Sequence, residues 1–154
     1  MALFLSTYTN KVDKKGRVSV PASFRAVLAN QNFAGIVAYG SFINPCIEAC
    51  GIDRLENLYN SIDSLDPFSS ERDAFVTTIL GGSVQISFDS EGRVMLPEAL
   101  IETANITEKA TFVGKGATFE IWQPDSFKEH FEKARKEALE KRASLTMKQG
   151  GSND

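Results

Sequence analysis

Five consecutive residues, Asp13-Lys14-Lys15-Gly16-Arg17, place a carboxylate, three cations and a glycine within the length of one turn. Aspartate opens a tight turn by offering its side-chain oxygens to the backbone N–H groups ahead of it, and glycine supplies the positive φ that closes it. Such a turn puts Lys14 and Lys15 at its tip, Arg17 just behind and Lys11 on its flank. Pairing of Asp13 with Arg17 across the turn would fix register and needs no partner. Four cations on one tip repel each other, so folding does not call for them, whereas an anionic partner does. Lysine offers a point charge; arginine offers a planar fork that can grip phosphate or a guanine edge through two bonds. The chemistry on offer is recognition of a polyanion.

Three other places invite chemistry and fall short of it. Gly114-Lys115-Gly116-Ala117-Thr118 has the lysine of a phosphate loop, but Lys109 stands where the first glycine of Gly-x4-Gly-Lys-Ser/Thr belongs, and a hairpin is the simpler expectation. His130 is the chain's one histidine and falls on the polar or boundary side of a helical stretch, as a surface residue. Cys46 and Cys50 bracket a strand at a spacing unlike Cys-x-x-Cys, so they read as small core hydrophobes. This inventory assembles no nucleophile, base and orienting group. No enzyme, cofactor, metal or small-molecule substrate is expected.

The elements that must position the basic turn occur twice. Asp13-Lys14-Lys15-Gly16-Arg17-Val18-Ser19-Val20-Pro21 aligns with Asp89-Ser90-Glu91-Gly92-Arg93-Val94-Met95-Leu96-Pro97 at an offset of 76. Phe24 and Leu100, Ile36-Val37 and Phe112-Val113, and Gly40 and Gly116 keep that register; Ile47-Glu48 then matches Phe119-Glu120 at an offset of 72. The first copy is longer in the loop after Gly40, where Asn44-Pro45 reads as a turn. Each copy predicts a strand (6–12 and 83–88), the Asp-x-x-Gly turn, a short strand (17–20 and 93–96) and a short helix from proline (21–29 and 97–104). Two further strands close each copy, 35–39 with 46–50 and 110–114 with 118–122. A segment of about 45 residues is too short to bury a good core alone, so the copies are expected to pack as a pseudo-dimer.

Between the copies runs an acidic stretch, 53–73, where Leu55, Leu58, Tyr59 and Ile62 have helical spacing until Pro67. A second helix is expected from Ser69 to the Gly81-Gly82 stop. After Pro124, the stripe Phe127, Phe131, Ala134 and Ala138 predicts one long helix laced by Glu129–Lys133, Glu132–Lys136 and Glu137–Lys141 pairs. Residues 150–154 carry no ordering signal and are expected to be disordered.

With 154 residues, 42% hydrophobic and 24% charged, the composition is that of a globular chain and excludes collagen-like or wholly disordered classes. No apolar run is long enough to cross a bilayer, and Met1-Ala2-Leu3-Phe4-Leu5-Ser6 lacks a basic leader region, so a cytoplasmic protein is expected. Two cysteines fit a reducing compartment. The net charge of −3 hides an asymmetry: residues 1–30 hold Lys11, Lys14, Lys15, Arg17 and Arg25 against Asp13 alone, leaving +4 there and −7 in the remainder. Local field, not total charge, steers an anionic partner.

The doubled motif, with Leu80-Gly81-Gly82-Ser83 ahead of the second copy and Phe112-Val113-Gly114 and Phe119-Glu120-Ile121-Trp122 after it, resembles the MraZ family of bacterial transcriptional regulators, which carry two SpoVT-AbrB domains in tandem. The resemblance covers about residues 5–127 and implies an α+β fold. In it, two AbrB-like swapped-hairpin repeats form an intramolecular pseudo-dimeric β-barrel with peripheral helices. It implies SpoVT-AbrB domains over 7–54 and 83–126, a helical connector over 55–82, and a C-terminal helix and tail over 127–154. It further implies a ring-shaped homo-oligomer, associated with the nucleoid, that represses transcription by binding direct repeats in double-stranded DNA upstream of the cell-division and cell-wall operon.

Carried over residue by residue, Asp13 and Arg17 match the first family motif and Asp89 and Arg93 the second, with Gly16 and Gly92 permitting the turns. Lys14, Lys15 and Arg17 are the expected DNA contacts, supported by Lys11 and by Arg25, which matches a family arginine after Val-Pro. Arg25 has Ile101 as its counterpart in the second copy, where Glu91 and Glu98 also disfavour DNA. The competing reading is an antitoxin-like interaction scaffold of the same hairpin class, its partner held by the C-terminal helix and DNA binding secondary.

Overall fold

Pro21, Pro97 and Pro124 each lead into a helix, whereas Gly51 and Ser69 start the two helices between the copies. The first copy runs β1 (Thr7–Lys11), β2 (Arg17–Ser19), α1 (Ala22–Leu28), β3 (Gly35–Gly40) and β4 (Ile47–Cys50). The connector is α2 (Ile52–Asp63) and α3 (Ser70–Phe75), the latter widening into a π-helical turn over Val76–Leu80. The second copy repeats the order as β5 (Val84–Ser87), β6 (Arg93–Met95), α4 (Glu98–Ala104), β7 (Lys109–Gly114) and β8 (Phe119–Trp122), followed by α5 (Pro124–Glu140). The computed structural model describes residues 2–145, so the expectation for 150–154 lies outside the described residues. The chain groups into two compact units, Met1–Pro124 and Asp125–Asp154.

Both prolines stand one residue earlier than expected. Pro21 and Pro97 are N-caps, with φ of −51° and −61°, and their carbonyls accept the first helical bonds from Phe24 and Arg25 and from Leu100 and Ile101. A proline there loses nothing, because the N–H it lacks would have had no helical partner.

Six strands form one antiparallel sheet in the order β1-β7-β8-β4-β3-β5, and β2 pairs with β6 in a separate two-stranded ribbon. Four of the six strand pairs join one copy to the other, β1 with β7, β3 with β5, β4 with β8, and β2 with β6, while β3 with β4 and β7 with β8 pair within a copy. The closed barrel implied by the resemblance is not formed. Among the described residues β1 and β5 remain free sheet edges, and one isolated bridge, from Val12 just past β1 to Val18 of β2, leaves the ribbon outside the sheet.

The core is built from matched positions of the repeat. Val18 and Val94, Val20 and Leu96, Phe24 and Leu100, Leu28 and Ala104, Ile36 and Phe112, and Ile47 and Phe119 are all buried in one cluster. Phe24 sits at its aromatic centre, with ring centroids 5.3 Å from Phe4 and 5.0 Å from Phe119. Each copy thus supplies half of a core that neither could bury alone. A smaller cluster of Tyr39, Ile62 and Ile79 seats the connector on β3.

In the C-terminal unit, α5 buries no side chain in its own unit; Phe127 and Phe131 touch at 5.8 Å and Lys133–Glu129 and Lys141–Glu137 close as ion pairs. Such exposed pairs add only a few tenths of a kcal/mol each to a helix.

Candidate nucleic-acid interface

The first basic turn is built around Asp13. Its Oδ1 accepts from the backbone N–H of Lys15 at 2.9 Å and of Arg17 at 2.8 Å, and its Oδ2 accepts from Arg17 Nε at 2.6 Å. The backbone closes the loop through Asp13 N to Arg17 O and Gly16 N to Asp13 O. Gly16 has φ of +86°. The second turn copies this: Asp89 accepts from Glu91 N and Arg93 N through Oδ1 and from Arg93 Nε through Oδ2, and Gly92 has φ of +76°. The sequence repeat is therefore a repeat of hydrogen bonds.

One difference separates the two turns. Arg93 Nη2 also forms an ion pair with Glu91 Oε2 at 2.7 Å, so its guanidinium is clamped by two carboxylates. In the first turn the equivalent of Glu91 is Lys15, and both Lys14 and Lys15 are exposed. Arg17 is held by Nε alone; among the described residues its Nη atoms have no hydrogen-bond partner. The fork is anchored at its base and open at its tips, the arrangement needed for two-point binding of an anion.

The remaining expected contacts are distributed by the exchange of strands between copies. Lys11 faces Lys109 of β7 across the β1–β7 pair, adding a cation that reading one copy at a time does not find. Arg25 lies beside the second turn, not the first: a Cβ placed on Gly92 would fall 2.9 Å from Arg25 Cζ, and Arg25 Nε donates to Val20 O. Ile101 takes the equivalent place over the first turn, 3.1 Å from a Cβ on Gly16. A helix start in one copy thus covers the turn of the other. The signal in the sequence was the Arg25/Ile101 exchange, but the copy it served was not readable from it.

These close approaches give an ordered expectation. Gly16→Ala forces an L side chain into positive φ and sets its Cβ 2.9 Å from the Leu96 carbonyl oxygen, which is backbone and cannot swing away. Gly92→Ala meets only the flexible end of Arg25. Both should destabilise by about 1–2 kcal/mol for the backbone conformation, with an added loss for Gly16→Ala alone, read from urea unfolding midpoints.

Asp13 and Asp89 both sit below the ordinary carboxylate range, chiefly because the backbone N–H groups of Arg17 and Arg93 donate to them. A depressed folded-state value stabilises the fold above the unfolded-state pKa of about 3.9, and that contribution is lost as pH falls through the folded value. The Tm of the protein should fall on acidification below about pH 4. The Asp13→Asn, Asp89→Asn double variant should show a shallower fall, measured by thermal melts between neutral pH and about pH 2.

The other candidates are structural. Lys115 and Thr118 close a hairpin, with Gly116 at φ +84°, and Lys115 Nζ lies 3.9 Å from the buried Glu120. Cys46 and Cys50 are buried free thiols whose pKa values burial pushes up to about 12, which keeps them unreactive. His130 is half-exposed on α5. A cleft of about 400 Å³ between β3 and the connector, lined by Tyr39, Leu58, Ile62, Phe75 and Ile79, went unread in the sequence; Tyr39 donates there to Glu48.

A duplicated scaffold that exposes cations on one aspartate-braced turn has the geometry of a recognition module. The chain matches the family model described as "MraZ protein, putative antitoxin-like" over residues 3–44 and 79–149, which include both turns. It is 58% identical over 145 residues to the protein named Transcriptional regulator MraZ of Rickettsia canadensis (strain McKiel), covering 94% of this chain and 97% of that one. The proteins of the same name from Rickettsia akari (strain Hartford) and Rickettsia felis (strain ATCC VR-1525 / URRWXCal2) are each 57% identical with the same coverage. The chain belongs to the MraZ family.

Proposed function

We propose that this transcriptional regulator acts as a repressor by binding duplex DNA through the turn 13–17, at direct repeats upstream of the cell-division and cell-wall operon. The observation that carries the reading is Arg17: its Nε is braced by Asp13 while its Nη atoms have no partner among the described residues, with Lys14 and Lys15 exposed beside it. Lysines hold phosphates, and the arginine fork reads guanine O6 and N7 in the major groove. Lys11 adds a phosphate contact to the first turn, and Arg25 adds one from beside the second. Asp13, Asp89, Gly16, Gly92 and Arg93 shape the turns.

In this reading the domains 7–54 and 83–126 form a swapped-hairpin pseudo-dimer, a view supported by the cross-copy strand pairs, with 55–82 as connector. Copies assemble into a ring, and the regulator resides with the nucleoid. No helix among the described residues is long and apolar enough to cross a membrane. The name shared by the Rickettsia relatives supports regulation of transcription.

The test is fluorescence anisotropy with DNA from upstream of the protein's own gene, against a scrambled duplex, over a range of salt. The expected result is preference for the natural duplex, with affinity falling steeply as salt rises. Equal, salt-insensitive binding to both would overturn it. The exposed Phe131 and Leu139 on α5 favour one second reading, a protein scaffold. In that case partner capture should survive neutralisation of Lys14 and Lys15.

A further inference from the structure

The β2–β6 ribbon presents a face that the turns alone do not use. Its register sets Arg17 opposite Met95, Val18 opposite Val94 and Ser19 opposite Arg93. Side chains alternate across a strand. Val18 and Val94 point into the core, each 1% exposed, so Arg17, Ser19, Arg93 and Met95 share the outward face. Met95 is 54% exposed there, a large apolar side chain between two arginines.

The repeat gives this face an unusual symmetry. Arg17 and Arg93 are equivalent residues of the two copies, and so are Ser19 and Met95. The face carries one arginine from each copy, Arg17 open at its Nη atoms and Arg93 clamped by Glu91, and it differs again in what lies between them. A two-stranded ribbon fits the major groove of B-DNA, about 12 Å wide. The open Arg17 fork at one end of the face, with Lys14 and Lys15 beside it, makes duplex DNA its complementary partner. In that groove the one apolar group a methionine can cover is the C5-methyl of thymine, whereas a serine hydroxyl can donate to or accept from base edges.

We propose that Ser19 and Met95 are specificity-determining residues: Met95 packs on a thymine methyl and Ser19 hydrogen-bonds a base edge. This rests on the DNA-binding reading above. The Ser19/Met95 difference adds to the asymmetry that Lys15 against Glu91 and Arg25 against Ile101 already give the two turns.

The probe is the tightest duplex that the full-length protein selects from a randomised pool. Each thymine is replaced in turn by deoxyuridine, which removes the methyl and nothing else. The expected result is one thymine per repeat whose replacement weakens binding roughly three- to five-fold, the worth of one buried methyl group. Met95→Ala should be insensitive to that same replacement, and Met95→Leu should restore the sensitivity. The proposal is overturned if no thymine matters, if Met95→Ala keeps the same sensitivity, or if Met95→Ala changes the subunit number, which would place the residue in a contact between copies. Salt-dependent binding and selection of a sequence without any thymine effect would sink this inference and leave DNA binding standing. Failure to bind duplex at all would overturn both.

Discussion

Arg17→Ala should lower affinity for the operator duplex by about 10²-fold or more while leaving the protein folded. A good bidentate contact to a base discriminates by roughly 5- to 150-fold, and the loss recurs at every turn that engages a repeat. The turn itself should survive. Of the three bonds that the Asp13 carboxylate accepts, two come from the backbone N–H groups of Lys15 and Arg17 and are untouched by the substitution. Only the bond from Arg17 Nε disappears. Circular dichroism should therefore show an unchanged fold, and a folded variant with unaltered affinity would show that Arg17 serves the turn alone.

The same variant at the second turn should behave differently. Arg93 already spends its Nη2 on Glu91, so Arg93→Ala should cost less affinity than Arg17→Ala. Releasing that clamp by Glu91→Lys should leave binding unchanged or slightly stronger. Equal losses from the two arginine variants, without unfolding, would refute the inequality of the turns.

How much of this was legible in the sequence depended on the range of the interaction. The Asp-x-x-Gly-Arg turns are local, closed by bonds spanning at most four residues, and residue types alone specify them. The matched apolar positions of the repeat, from Val18 and Val94 to Phe24 and Leu100, also emerged, because burial imposes type at each position. Strand choice did not emerge. The alternation of β1 suits pairing with β2 of its own hairpin or with β7 of the other copy, and period-two patterning cannot tell them apart. That choice decided where Arg25 and Lys109 landed. It also left β1 and β5 as edges where a closed barrel was expected. Nor does helical periodicity separate an α turn from the π turn at Val76–Leu80, whose signature is the bond from Gly81 N to Val76 O.

Binding to three direct repeats should exceed binding to one by roughly 10²–10⁴-fold, with no new contact involved. One turn offers Lys14, Lys15 and Arg17, about three phosphate neutralisations and a log–log salt slope near −3. A contact that small is weak at physiological salt. Joining heads rigidly makes each later contact intramolecular, and the gain is set by geometry. A two-fold dimer would aim its heads in opposite senses and favour palindromes. Head-to-tail subunits closed into a ring aim them in one sense, which suits direct repeats. Spacing near one helical turn, about 10 bp, lets successive turns meet the same face of the duplex. Titration against one, two and three repeats should show the rise, and inserting half a turn between repeats should abolish most of it, since a rigid assembly cannot follow the groove to the far side. A single repeat that binds as tightly as three, or indifference to the half-turn insertion, would mean that each head acts alone and that the energy for specific binding comes from within one chain.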